Sequence, residues 1–432
     1  MRVLVTGAYG LIGSAILARL HREGHDLVGA GRAVAVARRR FPYAQWIEAD
    51  FHHLTRPEDW RPLLAGIDAV VNCVGAFQSG ARDDLQRIHV AGTLALFAAC
   101  AAGGPRHVIH VSALGVGDDG PTEFATSKAI ADAQLAASDL DWLILRPGVV
   151  LSSSVYGATA MLRGLAGVPW RTPLIAADSR FQVVSVEDVA ETVAWALGPG
   201  AQVRGIFELV HPEPVTLAHV VAEQRRWLGF APQPIWNLPA FMARLVVMGA
   251  DALGHLGWRS PARSTAFAQL AAAPLGDPAA WSTATGIQPM SLAQILCARP
   301  STIQDRWFAR LYFLKPTAFA CLAALFIVTG LVCLGPGWRE GMALLAPAGL
   351  PYWAAATVVA GGAVLDLVLG AALLVRRTAR ITLVAMLALT VAYLVVATAL
   401  DPALWADPLG RLLKTIPVMA LMLFCLAVLD ER

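Results

Sequence analysis

Residues 2–14 read RVLVTGAYGLIGS, and this stretch decides the fold of the first half of the chain. Its apolar run at residues 3–5 predicts a buried strand. Three glycines then follow with the spacing G-x-x-G-x-x-G, namely Gly7, Gly10 and Gly13. Glycines are needed where the backbone turns sharply and must let a pyrophosphate approach without a Cβ in the way. A helix over residues 11–23 would offer free N–H groups to that anion, so the stretch predicts a dinucleotide-binding strand–turn–helix unit.

The same alternation of strand and helix continues beyond this unit. Further strands are predicted at residues 25–31, 45–51, 68–77, 107–114, 141–150 and 205–210, and helices at residues 57–66, 83–102, 122–138 and 217–228. Such alternation predicts a parallel sheet with right-handed crossovers and a ligand at the carboxyl ends of the strands. We therefore expect a doubly wound α/β domain of the Rossmann type over residues 1–230, with a small substrate-side subdomain from about residue 150.

A dinucleotide would contact the carboxyl ends of these strands and the first turn of the first helix. The residues predicted there are Gly7, Tyr9, Gly10, Leu11, Ile12, Arg32, Asp50, Phe51, Val74 and Gly75. Asp50 is placed to reach the adenine, and Gly75 lets the chain pass close to the cofactor. Arg32 stands where an NAD-specific fold carries an acidic residue on the ribose 2′-hydroxyl. The arginine favours NADP(H), with NAD(H) as the alternative if Arg32 only stacks on adenine or faces solvent.

These residues together resemble the extended or atypical branch of the short-chain dehydrogenase/reductase superfamily. The resemblance covers about residues 1–230 and rests on TGAYGLIG at 6–13, Asp50, NCVG at 72–75, Ser112, FATSK at 124–128, RPG at 146–148 and QVVSVEDVA at 182–190. Atypical members akin to the nucleotide-binding accessory subunit of respiratory complex I are the most similar. The resemblance adds Lys128 and Pro147 to the cofactor-binding residues, with Lys128 on the nicotinamide ribose.

The resemblance also implies catalytic residues, and one of them is replaced. Superfamily members use a serine, a tyrosine that exchanges a proton with the substrate oxygen, and a lysine, the last two in Y-x-x-x-K. Ser112 and Lys128 fill their positions, but Phe124 stands where the tyrosine is expected, and a phenyl ring has no transferable proton. The nearest other proton carriers are Tyr156, in a loop bordering the expected substrate cleft, and His110. Tyr156 is the better candidate of the two, and the alternatives are a loop tyrosine with no chemical role and, for His110, a packed core histidine.

The last third of the chain has a different composition. Charged residues recur regularly to about residue 310 and almost vanish from residue 316 onward. Apolar stretches occupy residues 316–334, 352–375, 381–400 and 415–429. A helix needs about 20 residues to cross a bilayer, which the first three stretches satisfy, while snorkelling of Arg411 and Lys414 would extend the fourth. We expect a transmembrane four-helix bundle over residues 311–432.

This bundle resembles the DoxX-like family over about residues 305–430. The resemblance rests on the lead-in QDRWFARLYFLKP at 304–316 and on TGL at 329–331. Some relatives in that family have quinone-linked or redox-protective roles, which suggests a quinone or another lipophilic small molecule as partner. Asp366 lies within the second predicted span, where a carboxylate is costly. It would serve a quinone, proton or lipid-headgroup site, or form a helix–helix hydrogen bond to a threonine such as Thr390.

Residues 231–310 are expected to form an extension between the two domains. The stretch PAFMARLVVMGADALGHLGW at 239–258 is mostly apolar but is interrupted by Arg244, Asp251 and His255. These dispersed polar residues favour a buried or interfacial helix over a membrane span.

Charge predicts how the chain lies in the membrane and excludes some partners. Six basic residues flank the first span and the loop between spans two and three (306, 310, 315, 376, 377, 380), against three in the opposite loops (339, 411, 414). This asymmetry, with no signal peptide visible, predicts that the nucleotide domain and the C-terminus lie on the cytoplasmic face of a bacterial-type inner membrane.

The net charge of +3 is too small to imply nucleic-acid binding, and the six cysteines form no CxxC pair that would suggest a metal site or a disulfide framework.

These features together predict a membrane-anchored NAD(P)(H)-binding oxidoreductase that acts on a lipophilic or quinone-like substrate. The alternative is a non-catalytic module that senses NADPH or scaffolds a membrane complex. Phe124 favours the alternative, whereas Ser112 and Lys128 favour the enzyme. A transporter is the weaker third reading, because the spans contain one acidic residue.

Overall fold

The computed structural model describes residues 1–80, 83–117, 120, 122–201, 204–258, 260–272 and 275–430. The chain divides into two compact units. The first unit comprises Met1–Asp251 and Ser260–Ala309, and the second comprises Ala252–Arg259 and Arg310–Arg432.

The strands all belong to the first unit. They are β1 (Arg2–Thr6), β2 (Asp26–Gly31), β3 (Gln45–Glu48), β4 (Ala69–Asn72), β5 (His107–Val111), β6 (Asp141–Pro147), β7 (Val149–Leu151), β8 (Thr172–Leu174), β9 (Arg180–Phe181), β10 (Val183–Ser185), β11 (Gly205–Leu209), β12 (Val215–Thr216) and β13 (Ile235–Asn237). Seven of them form a parallel sheet in the order β11-β6-β5-β4-β1-β2-β3. The strand order reverses between β1 and β4, which is where an open α/β sheet binds its ligand.

The helices of the first unit pack on both faces of this sheet and beside it, and two of them, Ala240–His255 and Ile303–Leu311, end in residues of the second unit. They are α1 (Leu11–Arg22), α2 (Val34–Arg40), α3 (Pro57–Trp60), α4 (Thr93–Ala101), α5 (Glu123–Ala136), α6 (Ala158–Gly167), α7 (Val186–Ala196), α8 (Leu217–Trp227), α9 (Ala240–His255), α10 (Ser264–Ala271), α11 (Ala279–Thr285), α12 (Leu292–Cys297) and α13 (Ile303–Leu311). On one face, Leu17 of α1, Val193 of α7 and Trp281 of α11 share a buried core. Phe97 of α4 and Leu135 of α5 pack in a core on the other. The predicted doubly wound α/β fold is confirmed.

Several predicted boundaries are wrong in detail. The strand predicted at 68–77 ends at Asn72, because the chain leaves the sheet there to form the loop that faces the switch point. The helix predicted at 83–102 begins as a π-helical segment, Gln86–Gly92, before α4. The segment 57–66 is one α-helical turn followed by a 3₁₀ turn, Arg61–Leu64.

Short strand pairs and three helices form a separate part of the first unit, in the region predicted as the substrate-side subdomain. Strand β10 pairs with β7, β13 with β8, and β12 with β9. Helices α6, α8 and α12 enclose a separate apolar core that includes Leu162, Val220 and Leu292. The parallel pair β7–β10 ties this core to the end of β6, from which β7 continues after Gly148.

Helix α9 shows how the apolar stretch at 239–258 folds. Its large apolar side chains are exposed rather than buried, with Phe241 66%, Leu245 64% and Met248 58% accessible. These residues are spaced i, i+4 and i+7 and so lie on one face of the helix. The alternative of a buried helix was therefore wrong for this face.

The second unit is helical. Its elements after α13 are α14 (Leu314–Leu334), α15 (Trp338–Leu344), α16 (Tyr352–Leu373), α17 (Ala379–Leu400) and α18 (Thr415–Val428). Within the described residues, three helical stretches are long and apolar enough to cross a membrane, namely Ile303–Leu334, Tyr352–Leu373 and Ala379–Leu400. Helix α18 has 14 residues, so at about 1.5 Å per residue it falls short of the roughly 30 Å of hydrocarbon.

The carboxylate of Asp366 is buried inside this unit, on the helix that α17 packs against. Asp366 is 5% exposed, and the hydroxyl of Tyr393 on α17 lies near it, against Gly362 of α16. Thr390 was the wrong partner, because its hydroxyl donates to the carbonyl of Met386 in its own helix (2.8 Å). The Oδ1 atom of Asp366 has no hydrogen-bond partner in the described part of the chain.

Glycines let α14 and α16 pack closely. A Cβ added to Gly330 of α14 would lie 2.6 Å from the carbonyl oxygen of Ala363 and 2.7 Å from Cγ of Leu367. A Cβ on Gly370 of α16 would lie 2.7 Å from Cγ1 of Ile327. Small residues at such contacts permit the close backbone approach on which helix association in membranes depends.

We expect Gly330→Leu to lower the thermal unfolding midpoint of the helical unit, because overpacking of this kind costs about 1–3 kcal/mol. Gly361→Leu is the matched control, since no described atom lies within 4 Å of its added Cβ. Thermal unfolding of the two purified variants in detergent, followed by circular dichroism, measures the difference. Equal midpoints would show that the α14–α16 contact does not require glycine.

Candidate dinucleotide and active site

The glycine-rich turn between β1 and α1 has the geometry of a pyrophosphate cradle. Gly7 has φ +62°, and a Cβ there would lie 2.8 Å from the carbonyl oxygen of Cys73. The Gly10 N–H donates to the Gly7 carbonyl (2.9 Å), which closes the turn before α1 begins at Leu11. A Cβ on Gly13 would lie 2.9 Å from Cα of Ala8. Each glycine therefore permits a close backbone approach, and the N–H groups of the first turn of α1, including those of Leu11 and Ile12, have no acceptor within the helix and can receive an anion.

Tyr9 crosses the end of β2. Its hydroxyl accepts a hydrogen bond from the Arg32 N–H (3.1 Å). Its ring lies against Gly31, where an added Cβ would clash with it, and faces Trp46 at a centroid distance of 6.3 Å. Tyr9 thus lines the side of the switch point where the adenosine half of a dinucleotide would bind.

The two charged residues predicted for the adenosine half already have protein partners. The Arg32 guanidinium donates to Oδ1 of Asp83 (3.1 Å). Oδ1 of Asp50 accepts from the N–H of His52 (3.1 Å) and contacts its Nδ1 (2.8 Å). Burial raises the pKa of Asp50, but the hydrogen bonds from His52 outweigh burial and leave that pKa below its usual value. Arg32 would have to exchange Asp83 for a 2′-phosphate in order to bind NADP(H).

The other predicted cofactor residues differ in what they can offer. The side chain of Phe51 is 4% exposed and packs edge-on against Trp60 (5.0 Å), so it offers a ligand its backbone alone. Val74 donates its N–H to Asn72 (3.3 Å). A Cβ on Gly75 would lie 3.6 Å from Nζ of Lys128, so the loop after β4 passes next to the lysine. The carbonyl of Pro147 accepts from the Leu114 N–H (2.9 Å).

Lys128 is buried on α5. It is 5% exposed, and its ammonium donates to the carbonyl of Val111 at the end of β5 (2.8 Å). Burial lowers the pKa of Lys128 to about 8, and the nearby Asp132 and Cys73 oppose this shift. The ammonium is therefore still the predominant form at neutral pH and loses its proton in a range that enzymes use.

Ser112 is held by a carboxylate that the sequence did not point to. Its hydroxyl donates to Oδ2 of Asp132 (2.9 Å), and the Arg146 guanidinium donates to the same oxygen (2.9 Å). Burial raises the pKa of Asp132, while Ser112 and Arg146 act in the opposite direction. The available signal was spacing, because Asp132 follows Lys128 by four residues on one helix and so shares its face.

His110 is packed in the core behind this carboxylate. It is 2% exposed, its Nδ1 contacts Nδ2 of Asn72 (3.1 Å), and its ring lies edge-on to Phe97. Its Nε2 is 3.6 Å from Oδ1 of Asp132, and neither atom has a hydrogen-bond partner within the described ranges. Burial lowers the pKa of His110 well below its usual value, so its ring is neutral.

Phe124 and Tyr156 lie in different surroundings. Phe124 is 9% exposed and packs against Phe77 (4.9 Å) and against the ring of His89 (5.7 Å). Tyr156 precedes α6, where its N–H donates to the hydroxyl of Thr159 (3.2 Å), and its side chain is 43% exposed. The buried group around Lys128 therefore contains Phe124 and leaves Tyr156 at the surface.

His89 is a further buried residue of this group that sequence reasoning missed. Its Nε2 accepts from the Ala76 N–H (3.1 Å), and its Nδ1 contacts the hydroxyl of Ser127 (2.9 Å). Burial lowers the pKa of His89 to about 2, helped by the charge of Lys128, so this histidine is neutral. It fixes the loop after β4 against α5 and thereby positions Gly75.

Comparison with known families assigns both parts of the chain. Residues 7–198 match the model of a family described as NAD(P)H-binding, and residues 323–423 match that of the DoxX-like family. The chain therefore carries an NAD(P)H-binding domain followed by a DoxX-like domain, as the resemblances implied.

Curated relatives are similar over part of their length. An uncharacterized protein of Mycobacterium tuberculosis is 27% identical over 226 residues, which cover 51% of this chain and 23% of that protein. A 2-alkyl-3-oxoalkanoate reductase of Stenotrophomonas maltophilia is 30% identical over 177 residues, covering 35% of this chain and 51% of the reductase. The chain thus matches from about a quarter to half of the length of these relatives.

Solved structures share the fold of the first unit. The UDP-glucuronic acid 4-epimerase of Bacillus cereus has a TM-score of 0.53 at 17% identity, covering 73% of this chain and all of the epimerase. The dTDP-glucose 4,6-dehydratase of Bacillus anthracis has a TM-score of 0.51 at 16% identity, covering 68% and 94%. Both were solved with NAD, and at this identity the likeness concerns the fold.

We expect Gly10→Val to abolish dinucleotide binding while the protein stays folded. The new side chain would enter the pyrophosphate cradle, and its Cβ meets only the Gly7 carbonyl, at 3.1 Å. Gly249→Val on α9 is the control, because no described atom lies within 4 Å of that added Cβ. Fluorescence titration with NAD(P)H measures binding, and micromolar affinity retained in Gly10→Val would place the cofactor elsewhere.

Proposed function

We propose that this protein is a membrane-anchored NAD(P)H-dependent reductase of a lipophilic carbonyl or quinone-like acceptor. The observation that carries the proposal is the burial of Lys128 and Ser112 at the carboxyl edge of the sheet. Lys128 is next to Gly75, and Ser112 directly follows β5, so both lie near the switch point. The bound cofactor would supply the hydride, and the chain's own residues would bind and orient the acceptor.

The roles of these residues follow from their contacts. The ammonium of Lys128 can move from the Val111 carbonyl to the ribose hydroxyls of a cofactor that passes Gly75. Ser112 can rotate its hydroxyl from Asp132 to the oxygen of an acceptor, because Arg146 remains to hold that carboxylate. Phe124 cannot give a proton, which favours an acceptor such as a quinone, whose reduction depends less on an acid at the hydride step.

The exposed face of α9 supports a lipophilic acceptor. Phe241, Leu245 and Met248 form an apolar stripe of the kind that lies in a membrane interface. The same chain carries three helices long and apolar enough to span a bilayer. An acceptor dissolved in lipid would then reach the protein by diffusion in two dimensions. The 2-alkyl-3-oxoalkanoate reductase, named for a ketone with alkyl chains, is consistent with this class of acceptor.

The cytoplasmic placement of the nucleotide domain also belongs to this proposal. In the second unit, Arg376 and Arg380 both pair with Asp430 near the C-terminus. The basic turn after α16 and the end of α18 therefore lie at the same end of the bundle. The basic residues at this end favour the cytoplasmic side.

A sensor or scaffold that binds NAD(P)H without turnover is the rival function. The observation that favours it is the packing of Phe124 against Phe77 and His89, which fills the place of the expected phenol with an apolar ring. In this case NAD(P)H would bind but would not be oxidised by any acceptor. The apolar stripe of α9 would then hold the protein to the membrane.

Turnover in proteoliposomes tests the proposal. We expect the native protein to oxidise NAD(P)H with a long-chain quinone and to act weakly on simple ketones. Phe124→Tyr should raise ketone reduction by about 10²–10⁴-fold, because it supplies the missing general acid beside Lys128. Gly10→Val, which we expect not to bind the cofactor, is the background control.

NAD(P)H binding without its oxidation by any acceptor would establish the sensor instead. Strong ketone reduction by the native protein that Ser112→Ala abolishes would contradict the role given to the phenyl ring of Phe124.

We also propose that NADP(H) is bound more tightly than NAD(H), because Arg32 can pair with a 2′-phosphate. Arg32→Asp should reverse the preference by placing a carboxylate where the ribose hydroxyls bind. Asp83→Asn should strengthen it, since this change removes a carboxylate that holds Arg32. Calorimetry with both cofactors measures the ratio of dissociation constants, and a ratio unchanged in both variants would rule out Arg32 as the determinant.

A further inference from the structure

One loop of the first unit presents a tryptophan at its tip. Trp170 lies between α6 and β8 and is 88% exposed. The Arg171 N–H donates to the carbonyl of Pro169 (3.0 Å), which closes a three-residue turn with Trp170 at its centre. Trp170 has φ 68°, a backbone conformation that residues other than glycine rarely adopt. A strained turn therefore holds a large aromatic ring in solvent.

Neighbouring side chains fix the base of this loop. Arg225 of α8 donates from Nη1 to the carbonyls of Ala166 (2.8 Å) and Val168 (3.1 Å). The side-chain amide of Gln233 donates to the same Val168 carbonyl (2.9 Å). Strained conformations persist where the surrounding structure fixes them in this way, and they are common at functional sites. The exposure of Trp170 is thus a feature that the fold maintains.

Exposed apolar side chains continue from this loop along the adjoining segments. Strand β8 begins two residues after Trp170 and pairs with β13, and α9 begins three residues after β13 ends. We call the large exposed side chains of these segments the apolar surface, which comprises Trp170, Trp236, Phe241, Leu245 and Met248. Exposed apolar patches of this kind mark sites of interaction with a protein or a membrane.

The charged residues within these segments are basic. Residues 168–176 and 231–250 contain two charged residues, Arg171 and Arg244, and both are exposed. Asp178, two residues beyond the first segment, is the acidic residue nearest to that segment in the chain. Tryptophans at the level of the headgroups, with arginines that reach lipid phosphates, are typical of a surface that lies in a membrane interface.

Helix α9 connects the apolar surface with the second unit. Its last turn belongs to that unit, which contains α14, α16 and α17. There Trp258 packs edge-on against Phe319 of α14 (5.2 Å) and donates from Nε1 to the carbonyl of Leu374 (2.6 Å). Asp251, the acidic residue that precedes this turn, is paired with Arg263 (3.2 Å). The helix that carries the apolar stripe therefore continues directly into the part of the chain with membrane-spanning helices.

We propose that the apolar surface docks on the headgroup layer of a phospholipid bilayer, with Trp170 and Trp236 in the interface and Arg171 and Arg244 on lipid phosphates. The bilayer fits better than a second protein, because the charged residues are cationic and because α9 continues into the membrane domain. The cost of exposing the Trp170 ring is offset when the ring enters the interface. This docking needs no dinucleotide and no acceptor, so it is independent of the proposed reductase activity.

Photocross-linking of the full-length protein in liposomes tests the proposal. The photoreactive residue p-benzoylphenylalanine replaces Trp170 in one protein and Leu245 in another, and the liposomes contain equal parts of phosphatidylcholine and phosphatidylglycerol. Val36 of α2 is the control position, because its side chain is also exposed (54%) but lies outside the apolar surface. Mass spectrometry identifies the cross-linked partner. We expect phospholipid adducts at the two test positions at least about tenfold above those at Val36.

Two changes test the apolar and the cationic contributions separately. Leu245→Glu should lower the lipid adducts at position 170 at least about tenfold, because it places a carboxylate against anionic headgroups, whereas Val36→Glu should not. Liposomes of phosphatidylcholine alone should give fewer adducts, since Arg171 and Arg244 lose their anionic partners. Thermal unfolding followed by circular dichroism checks that the variants are folded.

Four results would overturn the proposal. The first is cross-linking of position 170 to a second copy of the chain, or to another protein, in place of lipid. The second is a yield of lipid adducts no higher than that at Val36. The others are adducts at position 170 that Leu245→Glu leaves unchanged in a folded protein, and adducts that do not depend on anionic lipid.

Discussion

The close approach of the glycine turn to the end of β4 is the constraint on which the rest of the site depends. Gly7 lies so near the carbonyl of Cys73 that any Cβ would collide with it. Because β1 and β4 flank the reversal of strand order, this contact sets the depth of the cleft at the switch point. The loop after β4 then passes next to α5, where His89 and Lys128 meet Gly75. A bulkier residue in the glycine-rich turn would push that turn away from the loop after β4, and so away from the buried Lys128.

Local patterns in the sequence predicted the elements of this arrangement but not their pairings. The glycine spacing, the alternation of strands and helices, and the apolar spans are short-range signals, and the structure and the family matches confirm the fold that they indicated. The bonds of Arg32 to Asp83 and of Ser112 to Asp132 join residues 51 and 20 positions apart. Such pairs depend on how loops and helices meet in space, and charge or polarity at one position does not indicate its partner.

The same limit explains the errors in the membrane unit and in the extension. Hydropathy placed Asp366 in an apolar helix and indicated that a neighbouring helix must satisfy it. Which side chain lies beside it depends on the rotation of α17, which brings the Tyr393 hydroxyl against Gly362 of α16 and leaves Thr390 bonded to its own helix. Likewise, the apolar content of α9 was visible in the sequence. Whether that apolar face is covered depends on tertiary packing. In the described part of the chain, no element packs over Phe241 and Leu245, and both side chains remain largely accessible.

The buried polar group around Lys128 bears on whether the domain acts as an enzyme. Burying the ammonium of Lys128 costs free energy, and this cost lowers the pKa of Lys128 to about 8. If the lysine had only a structural role, its contacts would have to offset that cost. The Val111 carbonyl satisfies one of its three donors, and Gly75 leaves space beside the others. Asp132, which is near enough to oppose the pKa shift, is already bonded to Ser112 and Arg146. An ammonium at the edge where an open α/β sheet binds its ligand fits contact with the proposed cofactor better than packing. In the proposed reductase, Phe124 would then remove the proton donor and leave in place the lysine proposed to hold the cofactor.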